Sequence, residues 1–170
     1  MQDYDLPTVI PNVYRTGYTF QGWEPEVAAT VPAEDVEYTA QWSINSYNIT
    51  FNANGGVGGM STNLEYGTTL IAPVVSRIGY IFNHWEPDVP ATVPAQNITC
   101  LAQWTPIKYT VTFDANGGQD GITGEVDYDS ELVAPEVSRE GYTFLGWTPE
   151  VAAKVPLGGA TYTACSWNTR

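Results

Sequence analysis

Alternating apolar and polar residues predict short β-strands along most of this chain. In one clear example, Tyr109, Val111 and Phe113 fall on one face of an extended segment, while Thr110 and Thr112 fall on the other. A period of two residues is typical of a strand with one face in a core and the other in solvent. The pattern therefore predicts a half-buried strand at this point.

Turn signals separate this strand from the segments that follow it. An Asn-Gly-Gly turn at residues 116–118 ends the strand, because glycine readily adopts the positive φ that such a turn needs. A second strand is clearest at Ile122 and Val126. Residues 129–132 have the composition of a capped helix start, but Pro135 ends it early. We therefore expect one helical turn or a tight loop there.

Two further strands complete a module of about four strands. The third strand holds Tyr142 and Phe144 on one face, but Trp147 breaks the parity, which predicts a bulge near Gly146. A closing strand passes through residues 160–164, where alternation returns. The predicted fold class is mostly β, with at most a short helical turn in each module.

A step of 62 residues repeats this whole pattern. The string Gly-Tyr-x-Phe-x-x-Trp-x-Pro occurs at residues 17–25, 79–87 and 141–149, and the opening strand with its turn occurs at residues 47–56 and 109–118. Self-similarity at a fixed period indicates a tandem array of one small module. The opening strand pair has no counterpart in the first copy. The predicted domains are an incomplete first repeat at 1–46, a second repeat at 47–107 and a third repeat at 108–170.

The connections between copies are very short. Four residues lie between Trp42 and Tyr47, and four lie between Trp104 and Tyr109, so neighbouring copies must touch or nearly touch. Trp167 comes one residue later than the step of 62 requires, which predicts a bulge near the strand end or an irregular terminus. We also expect the incomplete first repeat to pack on the second module or to pair with another chain, because its strands leave open edges.

Three motifs together resemble a known family. They are Tyr-Thr-Val-Thr-Phe-Asp-Ala-Asn-Gly-Gly at residues 109–118, Gly-Tyr-Thr-Phe-Leu-Gly-Trp at residues 141–147 and Tyr-Thr-Ala-Gln-Trp at residues 38–42. The combination is similar to the Listeria–Bacteroides repeat, which includes the B-repeat of internalin B. The resemblance covers essentially the whole chain. It implies a small α+β module of the β-grasp, ubiquitin-like type, found in tandem in bacterial surface and secreted proteins and without catalytic residues. His84 departs from the pattern, because the other copies have glycine there.

The charge balance disfavours whole classes of partner. The chain has 6 Lys and Arg residues against 19 Asp and Glu residues, a net charge of −13. Binding to nucleic acid or to an anionic membrane surface needs clustered cations, so we expect neither partner. No apolar run of about 18 residues predicts membrane insertion. Residues 1–5 are acidic and unlike a signal peptide, so we expect the signal and the anchor to lie outside this chain.

Side chains that catalyse reactions or bind metals are not clustered in the sequence. His84 is the sole histidine, and Cys100 and Cys165 form no metal-binding or disulfide framework. Residues 114–121 loosely resemble a calcium loop, but their counterpart at residues 52–59 has no carboxylate, which favours a turn. We therefore predict no catalytic, metal-binding or cofactor-binding residues and no enzymatic activity.

The repeated aromatic residues are the candidates for recognition, because aromatic side chains bind sugars and anchor protein interfaces. A repeated core would place them at the same positions. The sequence predicts a non-catalytic stalk or adhesion segment of an extracellular or cell-surface protein. The alternative is a module that binds a glycan or a host or cell-surface protein through the variable loops at residues 55–63 and 117–124 and through exposed aromatics. The candidate ligand-binding residues are Trp23, Trp85, Trp147, Tyr18, Tyr80 and Tyr142.

Overall fold

The fold consists of strands and turns. A computed structural model describes the backbone of residues 6–168 and the side chains of residues 6–165, and it contains no helix in that range. The mostly β class and the four strands of each complete copy are confirmed, while the β-grasp assignment stays a prediction. Residues 1–5, which bear on the signal-peptide prediction, and residues 169–170 of the third predicted repeat lie outside the described range. The strands are β1 Tyr18–Glu24, β2 Thr39–Ile44, β3 Ser46–Asn52, β4 Met60–Glu65, β5 Tyr80–Glu86, β6 Ile98–Pro106, β7 Lys108–Asp114, β8 Ile122–Asp127, β9 Tyr142–Thr148 and β10 Ala160–Asn168.

Two four-stranded sheets have the same mixed topology. Their strand orders are β4-β3-β6-β5 and β8-β7-β10-β9, and β1 and β2 form a separate antiparallel pair. In each four-stranded sheet the two central strands are parallel, with Phe51 opposite Cys100 in one and Phe113 opposite Tyr162 in the other. The opening strands β3–β4 and β7–β8 are antiparallel hairpins. The registers differ by 62 residues, so the sequence repeat is also a structural repeat.

The opening hairpins turn as the Asn-Gly-Gly motif predicts. Asn54 and Asn116 have φ values of 48° and 51°, and the glycine after each is also left-handed. The Asn54 backbone N–H donates to the Asn52 side chain at 2.8 Å, and the Asn116 N–H donates to Asp114 at 2.8 Å. Asparagine and aspartate form this turn equally well, because each offers a side-chain oxygen. The Asp114 carboxylate therefore has a structural role in the turn.

Two other local predictions are confirmed, one for a turn and one for a bulge. The segment expected to form a helical turn or a tight loop is a tight turn, in which Ser130 Oγ donates to the Asp127 carbonyl at 2.6 Å. The predicted bulge near Gly146 is present, because Gly146 pairs with Cys165 while Phe144 pairs with the next residue of β10. Gly146 has a φ of +139°, a value that side chains rarely adopt.

The late tryptophan of the third copy leaves the backbone register unchanged. Ser166 lies opposite Phe144, as Trp42 lies opposite Phe20 in the first copy. The β9–β10 pair has the same irregularity as the β1–β2 pair, with no additional bulge beside it. The irregularity between Cys165 and Ser166 is thus the one shared with the first copy, and the alternative prediction of an irregular terminus extends to residues 169–170, outside the described range. Strand β10 keeps the step of 62, and Trp167 occupies the next position along its backbone.

The chain divides into two compact units, and the division falls inside β5 and β6. One unit comprises the residues up to Asn54, Gly58–Val74 and Trp85–Leu101, and the other comprises Gly55–Val57, Val75–His84 and the residues from Ala102 onward. Each unit has its own buried apolar residues, related by the step of 62. They are Ile49, Phe51, Val93 and Cys100 in the first unit and Val111, Phe113, Val155 and Tyr162 in the second. Each buried side chain of this size stabilises the fold by about 1.5–3 kcal/mol.

Candidate functional site at the junction between copies

Two of the three candidate tryptophans contribute to the core of their own copy. Trp85 in β5 is 7% exposed, and its ring meets Phe51 edge-on with the ring centroids 5.1 Å apart. Trp147 in β9 is half-buried and meets Phe113 in the same way at 5.0 Å. In β9 the bulge at Gly146 turns Trp147 toward the opening strand. A ligand-binding role for them stays a prediction.

The candidate tyrosines Tyr18 and Tyr80 join one copy to the next. Tyr18 at the start of β1 meets Tyr66, which follows β4 of the second copy, with centroids 6.1 Å apart and planes at 75°. Tyr80 at the start of β5 meets Tyr128, which follows β8 of the third copy, at 5.7 Å and 82°. Edge-to-face aromatic pairs contribute about 0.5–1.5 kcal/mol beyond the area that they bury. The same pair therefore forms both junctions.

The glycine before each of these tyrosines is part of the contact. Gly17 and Gly79 have φ values of +80° and +79°, and a Cβ atom at either position would overlap the ring of Tyr66 or Tyr128. The ring lies directly on the glycine backbone, where no other residue leaves room. Glycine is thus required at each junction for two reasons: its backbone adopts the positive φ, and its lack of a side chain allows the tyrosine ring to approach closely.

A short ladder of backbone hydrogen bonds closes the same junctions. The Asn45 N–H donates to the Gly17 carbonyl, and the Tyr66 N–H donates to the Asn45 carbonyl, both at 2.9 Å. In the second junction Ile107 takes the place of Asn45. Its N–H donates to Gly79 and its carbonyl accepts from Tyr128, both at 2.8 Å. The residue between two copies is therefore bonded on both sides, unlike a residue of a flexible linker.

An arginine completes the turn that presents each tyrosine. The Tyr18, Tyr80 and Tyr142 N–H groups each donate to the carbonyl of the arginine three residues earlier, at 3.0–3.1 Å. The positive φ of the glycine at the third position is what a type II turn requires. The guanidinium groups of Arg15, Arg77 and Arg139 lie over the tyrosine rings at 3.8, 3.9 and 4.1 Å from the centroids. These cation–π contacts hold the ring in place.

The arginine also ties its turn to the Asn-Gly-Gly turn of the same copy. Arg139 Nη1 donates to the Asn116 carbonyl at 2.9 Å. Arg77 lies beside the corresponding turn, and a Cβ atom on Gly55 would be 3.4 Å from its Cζ. The repeated Arg-x-Gly-Tyr motif is therefore a structural connector, and sequence reasoning recognised only its tyrosine. Its partners Tyr66 and Tyr128 were missed as site residues, although they share the step of 62.

The first copy has an open apolar groove where the complete copies have a core. Val31 is 43% exposed, whereas its counterparts Val93 and Val155 are each 1% exposed. The groove has a volume of about 230 Å³, and Trp23 and Tyr38 lie in its wall. In the complete copies, β3 or β7 inserts Phe51 or Phe113 at this place, and the described part of the first copy has no such strand.

Adding the opening strand pair should close this groove. When a copy of residues 108–127 replaces residues 1–3, the spacing to Tyr4 equals the spacing to Tyr128. We expect the free energy of unfolding of the first copy to rise by on the order of 2 kcal/mol, since two large apolar side chains become buried and some of the gain offsets the ordering of the added strands. Hydrogen exchange of the β1 and β2 amides measures the change.

The matched control is the same addition with serine in place of the copied Val111 and Phe113. This variant keeps the length and the turn but removes the side chains that would fill the groove. We expect it to leave exchange in β1 and β2 close to that of the original chain. Equal protection by the two additions would show that the groove is not completed by these side chains.

The two cysteines and the histidine lie in three different strands. Cys100 and Cys165 are both free thiols, and burial raises the pKa of the Cys100 thiol. His84 lies on the exposed side of β5. Among the side chains of residues 6–165 there is no group of three or more His, Cys, Asp or Glu that could bind a metal ion. No helix in the described part of the chain has the length and apolar character needed to cross a bilayer.

Comparison with known proteins finds relatives that are 31–33% identical to this chain. The chain is 32% identical over 168 residues to a protein of Evansella cellulosilytica provisionally named a Gly-rich membrane protein, covering 85% of this chain and 19% of that protein. It is 31% identical to a second provisionally named membrane protein of the same organism, over 80% of this chain and 24% of the relative. It is 33% identical to internalin H of Listeria monocytogenes, over 54% of this chain and 20% of the relative.

The chain thus spans about a fifth to a quarter of these curated relatives. No solved structure matches it significantly. The model of the Listeria-Bacteroides repeat domain matches twice, at residues 47–101 and 109–156, which together are more than half of the chain. These two matches fall on the two complete copies, with their four-stranded sheets. The chain belongs to the Listeria-Bacteroides repeat domain family.

Proposed function

We propose that this chain is a non-catalytic tandem-repeat segment that acts as a stalk or adhesion module of a bacterial surface protein. The observation that carries the proposal is the junction between copies, which is formed twice by residues at equivalent positions of the repeat. Tyr66 lies on Gly17 and Tyr128 lies on Gly79, with the connecting residue hydrogen-bonded on both sides. A contact that recurs at each boundary between copies is what a tandem array needs.

The structural roles of the recurring residues support this proposal. The arginine, glycine and tyrosine of each Arg-x-Gly-Tyr motif form turns and junctions, and Trp85 and Trp147 pack against Phe51 and Phe113. The relatives include internalin H and two membrane proteins, of which the chain spans a minor part. We propose a location at the cell surface or outside the cell, which the relatives support.

Two experiments test the stalk role. In the first, the full chain is inserted between a cell-wall anchor and a small reporter domain displayed on bacteria. Capture of the reporter by a bulky antibody should rise relative to the anchor alone, because a folded spacer holds the reporter clear of the cell wall. A flexible Gly-Ser linker of equal length is the control, since its mean end-to-end distance grows only as the square root of length. Capture no better than with the flexible linker would contradict the proposal.

A second candidate function is a binding module, and exposed apolar residues in the variable loops favour it. Val57 is 69% exposed in a loop of the second copy, and Ile122, the first residue of β8, is 58% exposed in the third; both belong to the segments that vary between copies. The partner would be a glycan or a host or cell-surface protein. We also propose self-association through the incomplete first repeat, on the basis of the exposed Val31 and the apolar groove lined by Trp23 and Tyr38.

The second experiment separates the two functions. The labelled full chain is applied to a glycan array and to host cells, with heat-unfolded chain as the control. For a stalk we expect no saturable binding at micromolar concentration. Saturable binding that is lost on unfolding, and weakened by Val57→Ser or Ile122→Ser, would establish the binding module instead. A Thr19→Ser variant, on an exposed strand position, is the matched surface control.

A further inference from the structure

The Arg-x-Gly-Tyr turn occurs three times in the chain with one conformation. The third example, residues 139–142, has the same hydrogen bond from Tyr142 N–H to the Arg139 carbonyl, at 3.1 Å. Gly141 has a φ of +78°, against +80° and +79° at the other two glycines. The Arg139 guanidinium lies 4.1 Å from the centroid of Tyr142. The third turn is therefore formed as fully as the two that make junctions.

The third turn differs in what lies against it. At the first two turns the glycine is covered by the ring of Tyr66 or Tyr128, whereas a Cβ atom on Gly141 would have no described atom within 4 Å. Gly141 does make an interaction. The open space is the space that a Cβ atom on Gly141 would occupy. Tyr142 is 37% exposed, while Tyr18 and Tyr80 are half-buried. Among the described residues the third turn thus presents an uncovered aromatic and glycine surface.

We propose that residues 139–142 are a docking surface for the opening strand pair of a further copy of this repeat, joined in tandem after the third copy. The tyrosine of that copy, the counterpart of Tyr66 and Tyr128, would lie on Gly141 and edge-on to Tyr142. The two formed junctions supply the argument, because the same turn takes the same tyrosine both times. The inference holds whether the array acts as a spacer or as a binding module.

The chemistry of the surface fits this occupant. A glycine with open space at its Cα accepts the flat face of a ring at van der Waals distance, and the neighbouring tyrosine offers its face or edge to a second aromatic. The cation over Tyr142 fixes the orientation of that ring. The occupant also needs a backbone that continues from β10, as β3 follows β2 and β7 follows β6. A tandem copy supplies both features at once.

The test uses an extended chain in which a copy of residues 109–170 follows Arg170 directly. This fusion preserves the step of 62 residues and places the new junction tyrosine at position 190 of the extended chain. Hydrogen exchange is measured at the amides of residues 139–142 in the original and extended chains. We expect exchange at this turn to slow at least tenfold on extension, because docking removes the turn from solvent.

Two variants of the extended chain make the result specific. Alanine at the new junction tyrosine should return exchange at the turn to the rate in the original chain, and this variant leaves all 170 original residues unchanged. Gly141→Ala should lower the urea midpoint more in the extended chain than in the original chain. Unchanged exchange on extension, together with equal midpoint shifts for Gly141→Ala in both chains, would overturn the proposal. Concentration-dependent association of the original chain that Gly141→Ala abolishes would assign the surface to a second molecule and would also overturn it.

Discussion

Trp85→Ala should lower the free energy of unfolding of the second copy by about 3–5 kcal/mol, the range found for large aromatic side chains removed from cores. Trp85 is 7% exposed, and its ring contacts Phe51, which is itself 3% exposed. Removing the indole leaves a cavity between the opening strand β3, which carries Phe51, and strand β5. Because Phe51 pairs in register with Cys100 of β6, the loss also weakens the parallel strand pair at the centre of the sheet.

Trp23→Ala is the matched control for this prediction, since Trp23 occupies the equivalent position of the first copy. Trp23 is half-buried, meets Phe20 at 5.6 Å, and lies in the wall of the open groove. We expect a loss of only about 1–2 kcal/mol, because Trp23 is less buried than Trp85 and the described part of the first copy has no counterpart of Phe51 to pack on its ring. Residue-resolved hydrogen exchange should be the measurement, since an array of copies need not unfold in one step. Equal losses in the two variants would show that β3 is not what buries the tryptophan.

Local features of the fold were predictable because they depend on neighbouring residues. Alternation identified β7, since one face of that strand is buried and the other is not. The parity break before Trp147 identified the bulge at Gly146. The Asn-Gly-Gly motif identified the turn, because side-chain oxygen and positive φ act within a few residues. In each case the information lay within one short segment of sequence.

The junction could not be predicted in the same way. Tyr18 and Tyr66 are 48 positions apart, and nothing in either segment indicates that one ring meets the other. The contact depends on the hydrogen bonds at Asn45, which set where β3 begins relative to Gly17. The step of 62 showed that Tyr66 recurs, but a repeated position is compatible with either a core or a surface. The register of Trp167 was missed for the same reason, since strand pairing and not sequence alignment determines it.

The candidate site shows a related difference between residue type and residue role. The sequence grouped Trp23, Trp85 and Trp147 with the tyrosines because all are aromatic and all recur. In the structure Trp85 and Trp147 pack against the opening strands, whereas the tyrosines lie at the start of strands, where a turn presents them outward. Position within the strand therefore separates core aromatics from junction aromatics. That criterion applies to any further copy of this repeat.

Gly79→Ala should lower the free energy of unfolding at the second junction by about 3 kcal/mol or more. The φ of +79° alone makes alanine unfavourable by roughly 1–2 kcal/mol. The added methyl group would also overlap the Tyr128 ring, and overpacking of this kind typically destabilises by about 1–3 kcal/mol. The ring has little room to retreat, because Tyr128 is also in contact with Tyr109, with centroids 6.2 Å apart. Hydrogen exchange at Ile107 and Tyr128 is the measurement.

Gly141→Ala provides the matched control, since Gly141 has a φ of +78° in the same motif and no described atom within 4 Å of a Cβ. It should show only the backbone effect of roughly 1–2 kcal/mol. A double-mutant cycle with Tyr128→Ala then isolates the steric part, because Gly79→Ala in that background should also fall to the backbone value. Equal losses of unfolding free energy for Gly79→Ala and Gly141→Ala would show that the Tyr128 ring is not packed on Gly79. The close contact between ring and glycine would then be contradicted at both junctions. If the two losses differ as expected, glycine at this position is explained by the neighbouring copy as much as by its own turn.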